Sequence, residues 1–325
     1  EYLAQQSLRT LTNASRRAPF DIKLPLTIYN TSCYRGIPGK YIAAGPLASR
    51  WLQQQFATDA TLARSGAQVL GEPAAGYLSH PGYAALPKAP YRYQEMLGVI
   101  WRENPSCYLQ EGEQAVLLAA LMETDNAGRP LIDAWINRSG LSADAWLEKL
   151  FEASVIPFYH LLCRYAVALI AHGQNVTLVM KDSIPQRILL KDFQGDMRLV
   201  DEDFPQAQSL PEQVKAVTAR LSADYIIHDL QTGNFVTVLR FISRLTLQSG
   251  VSETRFYQIL AGVLHRYMAV HPELAERFAT FDLFKPQIIR VILNPVKLTF
   301  SEHDGGSRML PNYVTDLDNP LFLAS

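Results

Sequence analysis

Polar residues with the chemistry to bind a metal–nucleotide gather at one end of a predicted β-hairpin. Two β-rich runs, residues 176–180 and 187–190, flank a turn that contains Asp, Ser and Pro. A turn centred between Ser183 and Ile184 places Asn175 opposite Asp192, with Lys191 and His172 at the same end. We therefore expect these four side chains to lie close together.

The chemistry of this cluster favours a phosphate ligand carried with a divalent cation. The oxygens of Asp192 and Asn175 suit Mg²⁺, which keeps phosphate oxygens in its coordination shell, and Lys191 offers a point charge for phosphate. The order H-x-x-N, two strands and Asp-Phe resembles that of protein kinases, but the kinase catalytic aspartate has no counterpart. A solvated hairpin end with a structural histidine is the alternative.

A second cluster of possible phosphate ligands follows a strand predicted over residues 22–29. Hydroxyls, backbone N–H groups and an arginine fork suit phosphate oxygens, and a surface turn is the alternative interpretation. Cys33 could also act as a nucleophile, but no paired base can be located, and a cysteine in such a loop is more often inert. The residues concerned are Thr31, Ser32, Cys33 and Arg35, with Arg9, Lys23 and Lys40 as neighbouring cations.

A third segment carries cations near the C-terminus. Lys297 and Arg308 could hold a carboxylate-rich substrate, and a solvated strand and loop would explain them equally well.

Composition restricts the classes of protein to which the 325-residue chain can belong. With 48% hydrophobic and 19% charged residues it is not a disordered chain, and 30 basic against 31 acidic residues argue against nucleic-acid binding. Three scattered cysteines predict neither a zinc site nor disulfides and fit a reducing cytosol. No apolar run approaches the ~18 residues of a membrane span. The low charge also favours buried subunit interfaces, so we expect a homodimer.

The elements that must position these clusters change in character along the chain. Strands and turns dominate the beginning, and a Gly-, Ala- and Pro-rich stretch over residues 71–90 is a candidate boundary. Apolar composition predicts helices over residues 116–122, 143–151 and 155–171, and another helix begins at Ser252. We expect an α+β protein of two parts, residues 1–100 and residues 101–325.

These segments together resemble the NRPS-independent siderophore synthetases, the IucA/IucC family. The likeness rests on Lys23-Leu24-Pro25-Leu26, on residues 31–35, on Ala171-His172-Gly173-Gln174-Asn175, on residues 190–200 and on residues 305–313. It begins in the middle of family members, and the chain does not start with Met, so we expect their C-terminal part. Ile170 departs from the family, because many members carry Glu there, which puts a glutamate ligand in doubt.

The resemblance implies a cupped-hand fold and an ATP-dependent, cytoplasmic ligase. Residues 1–100 would form a fingers portion, and residues 101–325 a largely helical palm carrying the 172–193 hairpin. A carboxylate would attack the α-phosphorus of Mg-ATP, and an amine or hydroxylamine would then attack the acyl adenylate, as in hydroxamate siderophore biosynthesis. The implied roles are catalysis by His172, Arg35 and Asn175, phosphate binding by Thr31, Ser32, Cys33, Lys23 and Lys191, Mg²⁺ binding by Asp192, and substrate binding by Lys297 and Arg308.

Two other functions remain compatible with the sequence. One is a kinase-like ATP phosphotransferase, which would release ADP rather than AMP and pyrophosphate. The other is a non-catalytic nucleotide-binding remnant or an iron-handling module. The acceptor acid also stays open between a citryl-hydroxylysine and a succinylated hydroxy-diamine.

Overall fold

A computed structural model describes residues 1–5, 7–15, 19–30, 33–37, 39–86, 96–193, 195–292 and 312–325. Helices and small sheets are mixed throughout, which confirms the α+β expectation. The strands are β1 (Tyr2–Ala4), β2 (Thr10–Asn13), β3 (Phe20–Lys23), β4 (Leu26–Asn30), β5 (Cys33–Arg35), β6 (Gln68–Val69), β7 (Ala74–Tyr77), β8 (Gly98–Glu103), β9 (Glu113–Leu117), β10 (Val167–Leu169), β11 (Val176–Lys181), β12 (Ile184–Leu190), β13 (Met197–Val200), β14 (Ala219–Leu221), β15 (Gln287–Ile292) and β16 (Asn312–Asp318).

The helices predicted over residues 143–151 and from Ser252 are present as Ala143–Ser154 and Glu253–Ala269, whereas the 14-residue helix Gly45–Thr58 was not predicted. A π-helix, Gln231–Leu239, follows the short helix His228–Leu230, and short 3₁₀ turns include Pro105–Tyr108 and Leu118–Met122. The α-helices are α1 (Gly39–Ile42), α2 (Gly45–Thr58), α3 (Ala60–Ser65), α4 (Pro81–Ala84), α5 (Leu131–Ser139), α6 (Ala143–Ser154), α7 (Ile156–Tyr165), α8 (Glu212–Lys215), α9 (Ala223–Ile226), α10 (His228–Leu230), α11 (Arg240–Leu245), α12 (Glu253–Ala269), α13 (Ala275–Thr280) and α14 (Pro320–Ala324).

Three sheets matter for the positions of the polar clusters. The five-stranded sheet has the order β1-β2-β3-β8-β7, so β3 and β8 are hydrogen-bonded neighbours. The four-stranded sheet has the order β6-β12-β11-β9 and contains the predicted hairpin, β11–β12. The three-stranded sheet has the order β10-β13-β14. In the sequence, β10 ends shortly before His172 and β13 begins shortly after Asp192.

The hairpin register differs by one residue from the prediction. Its two-residue turn is Asp182-Ser183, with φ of 51° and 65°, and a bulge follows where Pro185 lies opposite Met180. Val176 therefore pairs with Leu190. Asn175 accepts a hydrogen bond from the Lys191 backbone N–H at 3.3 Å, so it lies opposite Lys191 and not opposite Asp192. The expected pairing of Asn175 with Asp192 was wrong.

Three other predicted elements differ from the structure. The strand predicted over residues 22–29 divides at Leu24-Pro25 into β3 and β4, because proline has no N–H for the ladder. Residues 116–122 are not a helix, since β9 pairs with β11 up to Leu117 before a 3₁₀ turn. The helix predicted over residues 155–171 ends at Tyr165, and β10 then pairs with β13.

The largest core cluster of the described residues packs helices against the hairpin sheet. Trp146 and Phe151 of α6, Tyr159 of α7 and Phe256 of α12 are completely buried in it. The Trp146 indole also donates to the carbonyl of Ser183 at 2.8 Å. This packing fixes the hairpin, and with it the polar residues at its open end.

Candidate active site

A cavity of about 150 Å³ lies between the N-terminal sheet and the open end of the hairpin. It brings together five side chains that the sequence places far apart but assigns to one site, namely Lys23, Arg35, His172, Asn175 and Asp192. The other lining residues are Ser7, Leu8, Arg9, Gln174 and Asp196. Cations, amides, an imidazole and two carboxylates thus surround one space.

Asp192 is the electrostatic centre of this cavity. Its Oδ1 accepts hydrogen bonds from Lys23 Nζ and from Arg102 Nη1, the latter at 2.8 Å. Burial alone would raise the pKa of this carboxyl, but the charges of Arg102, Lys23 and Lys191 outweigh it and hold the pKa well below its usual value. Its φ of 64° is in the left-handed region, a conformation that neighbouring contacts must hold in a non-glycine residue.

Arg102 is the site residue that sequence reasoning missed most clearly. It occupies β8 directly opposite Asp21 of β3 and is only 2% exposed. Burial opposes its charge, but the carboxylates of Asp192, Glu72 and Asp21 prevail and raise its pKa. No local sequence pattern marks Arg102, because its buried position in β8, where an unpaired charge would be costly, becomes visible only once β3 and β8 are paired.

Asn175 is joined to Asp196, a residue that the sequence analysis included in a motif without assigning it a role. Asn175 Nδ2 donates to Asp196 Oδ2 at 3.0 Å, and both side chains line the cavity. Asp196 precedes β13, and its carbonyl accepts from the Ile170 N–H at 3.0 Å. The carboxylates of Asp192 and Asp196 and the Asn175 amide therefore provide hard oxygen donors that fit Mg²⁺.

His172 is oriented by the turn that precedes β11. Its carbonyl accepts from the Asn175 N–H at 2.9 Å, and its Nδ1 accepts from the Gln174 N–H at 3.3 Å. In the neutral imidazole the proton is then on Nε2. His172 can thus donate a hydrogen bond to a phosphate oxygen or an acyl oxygen in the cavity.

Lys191 lies behind this cavity rather than in its wall. It is 8% exposed and lines a small adjoining space with Phe158, Leu169 and Ile170. Burial, and next the charge of Arg102, lowers the pKa of Lys191 to about 8. Its phosphate-binding role stays a prediction.

Several predicted ligands have no described side chain. Thr31, Ser32, Lys297 and Arg308 lie outside the described residues, and only the backbone of Cys33 is described, in β5. Their roles remain predictions. Within the described ranges, no helix is long and apolar enough to span a membrane, and no three His, Cys, Asp or Glu side chains form a metal cluster.

Comparison with known proteins reveals two family matches along the chain. Residues 1–123 match the IucA/IucC family, and residues 144–307 match the family described as ferric iron reductase FhuF-like transporter.

Named relatives match nearly the whole of this chain and about half of their own length. The chain is 71% identical over 325 residues to aerobactin synthase of Escherichia coli, covering 100% of this chain and 56% of that protein. It is 58% identical to aerobactin synthase of Vibrio mimicus, covering 98% and 54%. The solved structure of aerobactin synthetase IucC from a hypervirulent pathotype of Klebsiella pneumoniae superposes with a TM-score of 0.86 at 64% identity, covering 99% and 54%. The chain thus spans about half the length of the curated relatives it matches.

Proposed function

This chain belongs to the IucA/IucC family, and we propose that it forms the nucleotide-binding part of an ATP-dependent siderophore synthetase. The observation that carries the proposal is the convergence of Lys23, Arg35, His172, Asn175 and Asp192 on one cavity. Cations from β3 and β5 line that space together with the carboxylates of Asp192 and Asp196, and Lys23 pairs directly with Asp192. This is the charge distribution that a polyphosphate with a divalent cation requires.

The proposed reaction has two balanced steps. A substrate carboxylate oxygen attacks the α-phosphorus of ATP, the bond to the bridging oxygen breaks, and pyrophosphate leaves with the bonding electron pair. An amine or hydroxylamine nitrogen then attacks the acyl carbon, AMP leaves, and the nitrogen loses a proton. The product is an amide or a hydroxamate.

The chain's own residues would stabilise charge in the first step. Lys23 and Arg35 hold phosphate oxygens, and His172 donates from Nε2 where negative charge accumulates. Thr31, Ser32 and Cys33 would add donors from their loop. Mg²⁺ held by Asp192, with Asn175 and Asp196 beside it, would neutralise phosphate charge.

The named relatives guide the proposed substrates. Because the two relatives above are aerobactin synthases, we propose a citryl-hydroxylysine acid as the acceptor, with Lys297 and Arg308 as its carboxylate ligands. We also propose a cytoplasmic homodimer, with residues 1–100 as fingers and 101–325 as palm. Sedimentation of the purified protein tests the dimer.

Product analysis tests the reaction. The intact synthetase containing this chain is incubated with ATP, Mg²⁺ and candidate acids, and nucleotides and pyrophosphate are quantified. AMP and pyrophosphate formed in step with acid consumption support the proposal. Formation of ADP instead would identify a phosphotransferase and overturn it.

The FhuF-like match gives the iron-handling alternative a specific observation in its favour. ATP binding by the 325-residue chain distinguishes the two. Saturable ATP binding that is lost in Lys23→Gln supports the synthetase. Iron binding without any nucleotide binding would support the alternative.

A further inference from the structure

The ion pair between Lys23 and Asp192 uses a carboxylate that a divalent cation would need. Lys23 Nζ donates to Asp192 Oδ1, and both side chains line the cavity of the candidate active site. The same oxygen also accepts from Arg102 Nη1 at 2.8 Å. A carboxylate that binds a divalent cation must turn its lone pairs to the metal, so the Lys23 ammonium and a metal ion compete for Asp192.

The charges that line the cavity oppose a divalent cation that arrives alone. Among the described residues, the cations Arg9, Lys23 and Arg35 line this space with the carboxylates of Asp192 and Asp196. A bare divalent cation adds two positive charges beside these cations, and the repulsion weakens its binding. A nucleoside triphosphate brings enough negative charge to reverse this balance, so the metal is favoured only together with the nucleotide.

Of the two partners of Asp192 Oδ1, Lys23 is the one that can leave. Its side chain is 13% exposed and extends from the last residue of β3 into the cavity. Lysine has a flexible stem and rotatable donors, so side-chain rotation can carry the ammonium from the carboxylate to a phosphate in the same space. Arg102 is only 2% exposed, so it would hold the carboxylate in place meanwhile.

We propose that Lys23 exchanges partners when the nucleotide binds. Without nucleotide, its ammonium pairs with Asp192 and competes with divalent cations for that carboxylate; with nucleotide bound, it pairs with a phosphate oxygen and leaves the carboxylate to the metal. This inference rests on the proposed function, because it gives the order in which metal and phosphates reach the site. The metal enters with the nucleotide and not before it.

Metal and nucleotide binding, both measured without turnover, test the exchange on the intact synthetase containing this chain. Mn²⁺ is the metal probe, because its electron paramagnetic resonance signal distinguishes free from bound ion. Calorimetry with Mg²⁺ and α,β-methylene-ATP, which cannot release pyrophosphate, measures nucleotide affinity. We expect Lys23→Gln to bind Mn²⁺ alone at least tenfold more tightly than wild type and the analogue at least tenfold more weakly. A merely structural role of Lys23 would not move the two affinities in opposite directions.

Two further variants control for lost charge and locate the metal. Lys285 is 48% exposed and pairs with Asp224 at 3.1 Å, so Lys285→Gln removes an ion pair outside the cavity and should leave both affinities unchanged. Adding Asp192→Asn to Lys23→Gln should abolish the gain in Mn²⁺ affinity. If Lys23→Gln does not fold, Lys23→Met, which keeps an aliphatic stem, takes its place.

Two results would overturn the exchange. One is a Mn²⁺ affinity of Lys23→Gln no higher than that of wild type, and the other is a gain that survives Asp192→Asn. The analogue titration separates this inference from the proposed function. Wild type that binds the analogue, with no gain of Mn²⁺ affinity in Lys23→Gln, overturns the exchange alone. A gain of Mn²⁺ affinity in a protein that never binds the analogue overturns the nucleotide site and leaves Lys23 as the competitor of the metal.

Discussion

Arg35 tests the phosphate-binding interpretation at the scale of a single side chain. Its guanidinium lines the cavity and can offer two parallel N–H donors to a phosphate, whereas lysine is a single point charge. Arg35→Lys in the intact synthetase should therefore lower the specificity constant at least tenfold, which corresponds to about 1.4 kcal/mol of transition-state stabilisation. Pyrophosphate release is measured beside a melting curve, which should not change.

Arg64→Lys provides the matched control for this experiment. Arg64 is exposed on α3, away from the cavity, so its variant should keep wild-type turnover. Near-normal turnover in Arg35→Lys would remove Arg35 from the active site and leave the hairpin cluster to support the function.

Arg102 makes a different kind of contribution, since it is buried and its partner Asp192 is only 12% exposed. Arg102→Met leaves the Asp192 carboxylate with Lys23 as its remaining described partner, and such truncation of a buried pair typically costs about 3–5 kcal/mol. Urea unfolding should show a loss of this size. The double variant Arg102→Met/Asp192→Asn should lose less than the sum of the single changes. Strict additivity would show that the two side chains are not coupled.

The sequence identifies those site residues that lie at the ends of predicted strands or beside a recognisable loop. His172, Asn175 and Asp192 were found because they border one hairpin, and Lys23 because it precedes a basic loop. Arg102 was missed because its importance comes from pairing across β3 and β8, and no local motif records which strands become neighbours.

At the scale of the elements, the position of the hairpin turn differs from the sequence prediction, and mutation can test the turn that the structure shows. Asp182 and Ser183 both have positive φ, as in a type I′ turn, for which Asn-Gly is preferred. Asp182→Asn combined with Ser183→Gly should raise the free energy of unfolding by about 0.5–1 kcal/mol. Denaturant unfolding measures the gain, and ATP affinity should stay unchanged because the turn is at the far end from Asp192. Destabilisation would contradict the turn assignment.

Helices and strands were predicted less well where apolar runs are short. Residues 167–169 continue the apolar character of α7, but they become β10 because β13 offers a partner strand. Residues 116 and 117 end β9 for the same reason, since they pair with β11. Periodicity cannot distinguish a buried strand from a buried helix over so few residues. The hairpin register was equally inaccessible, because it depends on a bulge opposite Pro185.

At the scale of the whole molecule, Asp192 is one of the contacts that join two sheets. Its carboxylate follows β12 of the hairpin sheet, while Lys23 and Arg102 belong to β3 and β8 of the N-terminal sheet. The ion pairs therefore hold the two walls of the cavity together. A nucleotide that attracts Lys23 would loosen this link, while Arg102, which is buried beneath it, would maintain it.

Acid should weaken the ion pairs of Asp192, and the Asp192→Asn variant separates their contribution to stability from that of other groups. The folded-state pKa of Asp192 lies well below its usual value of 3.8, so the unfolded chain takes up this proton at a higher pH than the folded chain does. The stabilising contribution of Asp192 is therefore complete above about pH 5 and is lost as the pH falls through about 4 toward the folded-state pKa. Urea midpoints of wild type and Asp192→Asn, measured from pH 7 to pH 3, should converge as the pH falls, with wild type losing at least about 1 kcal/mol more. Asp224→Asn, at the exposed surface, should run parallel to wild type over the same range. If the wild-type and Asp192→Asn curves also run parallel, the Asp192 carboxylate does not hold the sheets together.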